Sequence, residues 1–133
     1  MREILFRGKL KYSDDWVYGD LFHLEGDCTQ IFARDDPHAW RNDVVDPNTV
    51  GQFTGLLDKY GTKIFEGDII KLDDRLCQVT WLDGNAQFDL RFIRDFGDIR
   101  IINFKGCEMR ELYRYEVIGN IHDNPELLKG GAE

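Results

Sequence analysis

Residues 45–70 read VDPNTVGQFTGLLDKYGTKIFEGDII, and this stretch decides the fold. Asp46 can cap free amides, and Pro47 suits a first helical position, where no amide donor is needed. Only one helical turn fits before Gly51 and Gly55 stop it. Leu56-Leu57 and Ile64-Phe65 then flank Asp58-Lys59-Tyr60-Gly61-Thr62, which reads as a hairpin loop. Glu66-Gly67-Asp68 makes a second turn and delivers Ile69-Ile70-Lys71-Leu72 into a strand. Thr54, Asp58, Glu66 and Asp68 carry short side-chain oxygens that can satisfy nearby backbone amides. Turn chemistry between short apolar pieces is the punctuation of a β chain.

The same punctuation extends both ways. Upstream, strands are expected at Glu3 to Leu10, at Trp16-Val17-Tyr18 running into Leu21 to Leu24, and at Cys28 to Phe32 after the Glu25-Gly26-Asp27 turn. The polar stretch Arg34 to Asp46, with Asp35, Asp36, Asp43 and Asp46, reads as a surface loop. Downstream, Arg75 to Leu82 alternates apolar with polar residues. Asp83-Gly84 is a strong hairpin signal, and Phe88 to Phe92 returns with a period of two. Arg100 to Phe104 and Tyr115 to Ile121 complete the set. Asn124-Pro125 opens a C-terminal helical turn that ends near Leu128. The fold class expected is all-β with short helical turns.

The sequence has 133 residues, 42% of them apolar and 13% aromatic, enough for a packed core and too apolar for a disordered chain. A net charge of −8 opposes binding that depends on broad phosphate neutralisation. The first residues give no apolar core of a signal peptide, and apolar runs such as Ile4-Leu5-Phe6 are far shorter than the roughly 18 residues of a membrane span. Three well-separated cysteines, Cys28, Cys77 and Cys107, form no C-x-x-C pair and read as reduced thiols of a cytoplasmic protein.

Chemistry is thin. His23 and Cys28 bracket one turn, but two donors do not make a zinc site, and His38 and His122 lack partners at ligand spacing. The acidic loop lacks the spacing of an EF-hand. Ser13 is the only serine and has no nucleophile-elbow setting. Cys77 or Cys107 could in principle pair with His23 or His122, though nothing in the sequence brings them together. Neither G-x-x-x-x-G-K-[ST] nor G-x-G-x-x-G occurs. The expectation is no enzyme, no catalytic residue, no metal and no cofactor.

The 45–70 stretch, taken with EVIGNIHDNPELL at 116–128, the opening MREILFRGK and Trp16-Val17-Tyr18-Gly19, resembles the YopX family of small phage and prophage proteins. The resemblance covers most of the chain. It implies an SH3-like small β-barrel and carries no catalytic residues. With it, the chain divides into an N-terminal β-hairpin region and acidic loop at 1–46, the barrel at 47–128 and a flexible tail at 129–133. The motif residues Pro47, Gly51, Gly55, Gly61, Gly67, Asp68, Gly119, Asn120 and Pro125 then read as folding instructions, with glycines where strands of a small barrel reverse or bend. The function expected is a non-enzymatic interaction module binding an unidentified host or phage protein in the host cytoplasm, with self-association as one form of it. The alternative is a sequence-tolerant nucleic-acid binder using Arg91, Arg94, Arg100, Arg110 and Arg114, which are interleaved with aromatics but offset by Asp89, Asp95, Asp98, Glu108 and Glu111.

Overall fold

The computed structural model describes residues 3–26, 28–33, 42–93, 101–103 and 114–129. The chain is all-β, with two antiparallel sheets and single 3-10 turns at Pro47–Thr49, Asp83–Asn85 and Pro125–Lys129. It divides into two compact units, Met1–Gly55 and Leu56–Glu133. Strand β5 (Gly51–Leu57) runs across the division, and Gly55 within it takes a φ of 92°.

In the first unit, β1 (Phe6–Lys9), β2 (Trp16–Leu24), β3 (Cys28–Ala33) and β4 (Asn42–Val44) form a meander in which each strand pairs antiparallel with the one before it. The first residues of β5 close on β1, Gly51 facing Arg7 and Gln52 facing Phe6. Val17, Ile31 and Val45 form the buried face of this sheet, with Phe6, Leu10, Leu21 and Val50 packed against them. The N-terminal region is therefore more than a hairpin. The end of the stretch read as an acidic loop supplies β4, whose Asn42, Asp43 and Val44 pair with Phe32, Ile31 and Gln30. Three residues with one apolar side chain give too weak an alternation to announce a strand.

The turn after β4 forms as its residues dictate. Asp46 accepts a hydrogen bond from the Asn48 amide at 3.0 Å, with Pro47 in the first turn. The Thr49 hydroxyl donates to the Asp46 carbonyl and accepts from the Lys9 amide, 2.9 Å away. A local cap thus becomes a tertiary tie to β1.

In the second unit, β6 (Lys63–Phe65) stands next to β5 in the strand order, and a five-stranded sheet follows: β10 (Ile101–Asn103), β9 (Gln87–Phe92), β8 (Arg75–Leu82), β7 (Asp68–Leu72) and β11 (Tyr115–Asn120), in that spatial order. Among the described residues β10 and β11 do not pair, so this sheet stays open rather than closing into a barrel. Ile64, Ile70, Cys77, Val79 and Leu90 are wholly buried in its core, joined by Leu72, Phe88 and Tyr115. Fully burying each large aliphatic side chain contributes about 1.5–3 kcal/mol, so this cluster is the main hydrophobic support of the unit.

Candidate interaction surface

Strand β2 decides what the first sheet shows to solvent. Its residues alternate Trp16, Tyr18, Asp20, Phe22 and Leu24 on one face against Val17, Gly19, Leu21 and His23 on the other. Val17 and Gly19 are buried, whereas Tyr18 and Asp20 are exposed, which fixes the first set as the outer face. Cross-strand register extends that face. Phe32 lies opposite Asp20, and Gln30 lies opposite both Phe22 and Val44; directly opposed residues share a face.

The result is an outward aromatic surface. Tyr18 (37%), Leu24 (50%) and Val44 (37%) are exposed, and Trp16, Phe22 and Phe32 are half-buried beside them. At the β1 end, two cations rest on one ring: the Arg7 guanidinium is 4.7 Å and the Lys9 ammonium 5.6 Å from the Trp16 centroid. Both are attracted to the ring's negative face. Arg7 is itself buried, which only a side chain with an apolar stem and an aromatic partner tolerates readily. Sequence reading placed Trp16 and Tyr18 in a strand without distinguishing the faces, because apolar residues occupy both sides of WVYGDLFHL. The signal that would have found the surface is Asp20, which marks its side as solvent-facing.

The motif residues occupy different positions and serve the backbone. Asp58, nearly buried, accepts from the amides of Tyr60 and Thr62 through one oxygen and from Val117 through the other, each at 2.9 Å. It therefore closes its own hairpin and ties that hairpin to β11. Asp68 accepts from the Phe65 amide at 2.7 Å across the Glu66-Gly67 turn, where Gly67 has a φ of 92° that an L side chain would strain to adopt. Gly61 also has a positive φ, whereas Gly51 pairs with Arg7 in a regular strand. Asn120 accepts from the amides of His122 and Asp123 and donates its own amide to Asn124. A Cβ at Gly119, beside the bulge between Val117 and Gly119, would displace the Asn124 side chain that accepts from the Asn120 amide. Pro125 starts the last 3-10 turn.

Of the five arginines of the alternative reading, Arg91 and Arg114 fall among the described residues. Arg91 is exposed on β9. Arg114 donates to Asp73 from both Nε and Nη2, and this hydrogen bond outweighs the opposing desolvation and, with the guanidinium charge adding to it, holds the Asp73 carboxyl below its ordinary value. Arg94, Arg100 and Arg110 lie outside the described residues. Among the described residues no three His, Cys, Asp or Glu side chains converge as a metal site, and no helix is long and apolar enough to cross a membrane. His23 Nδ1 sits 3.2 Å from the Thr29 hydroxyl, Cys28 accepts from Gln30, and Cys77 is wholly buried. Asp89 is buried too, with a hydrogen bond from the Gln87 amide group at 2.8 Å.

Comparison with known proteins agrees with the sequence resemblance. No curated protein matches the chain. Among solved structures, the crystal structure of protein EF1440 from Enterococcus faecalis matches with a TM-score of 0.59 and 26% identity, covering 96% of this chain and 99% of that one. The family model of the YopX protein matches residues 5–129. The chain belongs to the YopX family.

Proposed function

We propose that this YopX family member is a phage- or prophage-encoded, non-enzymatic interaction module that works in the host cytoplasm by binding a protein partner. The second unit, in this reading, is a variant of the SH3-like small barrel that the family resemblance implies, and it serves as scaffold. One observation carries the proposal: the outer face of β2, β3 and β4 leaves Tyr18, Leu24 and Val44 exposed on one surface, while the motif carboxylates and amides are engaged by backbone groups. Clustered exposed aromatic and aliphatic side chains mark protein-binding surfaces more often than they serve a monomer's stability.

The test is capture from nuclease-treated bacterial lysate by the full chain and by the Tyr18→Glu Val44→Glu variant, with circular dichroism confirming that the variant is folded. A specific partner held by the wild type and lost by the folded variant supports the reading. A wild type that retains nothing above background, or a variant that retains the same partner, overturns it. Retention that disappears with nuclease would transfer the function to nucleic acid.

A further inference from the structure

The turn that closes the β8–β9 hairpin carries a reactive pair of residues. Asp83-Gly84 is the single Asp-Gly pair in the sequence. Both residues are exposed, and they begin the 3-10 turn Asp83–Asn85. Glycine sets no Cβ beside its amide nitrogen, so that nitrogen can approach the side-chain carboxyl carbon of the residue before it. The early amides of a helical turn also lack partners within it. The turn is held lightly. The Ala86 amide reaches the Asp83 carbonyl at 3.3 Å, and exposed Ala86 has a φ of 50°, a left-handed conformation that an L side chain adopts at a cost. Rotation of the Asp83-Gly84 unit into reacting geometry therefore disturbs little. Other aspartates are protected: Asp58, Asp68 and Asp89 are buried with carboxylates that accept amide hydrogens, and Asp46 precedes Pro47, whose nitrogen bears no proton.

We propose that Asp83 converts to isoaspartate in the folded protein. The Gly84 nitrogen attacks the protonated side-chain carboxyl of Asp83. A carbon–nitrogen bond forms, and the carboxyl hydroxyl leaves as water with the amide proton. One water then opens the succinimide ring. Cleavage at the side-chain carbonyl restores aspartate, whereas cleavage at the backbone carbonyl routes the main chain through the former side chain. The product has the composition of the starting protein, one extra methylene in its backbone and a free α-carboxylate, the group that isoaspartyl methyltransferases methylate from S-adenosylmethionine. The extra atom enters next to the Leu82 and Gln87 pair that ends the ladder. It loosens the end of the sheet where the Trp81 and Phe88 rings meet edge to face, 4.9 Å apart.

The experiment holds the folded full chain at neutral pH and body temperature for weeks and then digests it. Isoaspartyl peptides are labelled with a methyltransferase and tritiated S-adenosylmethionine, and fragmentation mass spectrometry assigns the position. The expected result is label concentrated at position 83. Gly84→Ala, whose Cβ would meet open space, should keep the fold by circular dichroism and lose most of that label. Asp83→Glu, which closes a larger ring, should lose it as well. The isoaspartyl protein, separated by chromatography, should exchange amide hydrogen faster at Leu82 and Gln87 than fresh protein does. Label no higher at 83 than at Asp58 or Asp74, label unchanged in folded Gly84→Ala, or label that arises only when the chain is held in urea would overturn the site. Unchanged exchange at Leu82 and Gln87 would overturn its effect on the hairpin.

Discussion

The turns of the second unit and the outer sheet face of the first use the same residue types to opposite ends. In the second, aspartate and asparagine turn toward the backbone: Asp58, Asp68 and Asn120 are buried and accept amide hydrogen bonds, and aromatic Phe88 and Tyr115 lie in the core. In the first, Asp20 and Tyr18 are exposed on the outer face of the sheet. A β scaffold needs its polar side chains where chain reversals leave amides unpaired. Polar and aromatic side chains outside such turns do not close backbone bonds, so they are where function is to be sought.

The sharpest break of that comparison comes at Asp58. Asp58→Ala leaves three amides without their acceptor and should lower stability by about 3 kcal/mol, read by urea unfolding, with hydrogen exchange accelerated at Tyr60, Thr62 and Val117. A loss confined to the hairpin, with Val117 still protected, would show that the tie to β11 is not cooperative. Asp46→Ala in the first unit removes one cap bond and should cost about 1 kcal/mol. Asn at that position should retain most of it.

Tyr18→Ser, on the exposed face, should change the unfolding midpoint by no more than about 0.5 kcal/mol equivalent, yet abolish partner capture. A large stability loss there would mean that the ring is a structural element. The smallest effect belongs to Asp73. Its folded-state carboxyl titrates below the ordinary 3.8 because of Arg114, so the pair's contribution is present above the unfolded value and is lost as pH falls through the lower folded one. Asp73→Asn should therefore unfold slightly earlier than the wild type at neutral pH, less so in added salt, and the two curves should converge in strong acid.

Much of the scaffold was legible because its rules are local. Asp46 before Pro47, Asp58 within a glycine-bearing loop and Asp68 after Gly67 each announce a turn, and each forms one. The hairpin after Leu82 also forms, through Asp83–Asn85 and a positive φ at Ala86 rather than at Gly84. The remainder depends on distant pairing. Nothing local in Asn42-Asp43-Val44 says that it lies beside β3, and nothing in GQFTGLL says that its first residues close on β1. The surface at Tyr18 and Phe32 exists only through the register of β2 against β3, which a single strand's alternation does not encode when both of its faces are apolar.

Photo-crosslinking separates the two regions most directly. A benzophenone-bearing residue placed at Tyr18 in one protein and at Tyr60 in another probes two exposed tyrosines, one in each unit, in the same lysate. The account predicts a discrete adduct from position 18 and none from position 60. Adducts from position 60 with none from position 18 would contradict it.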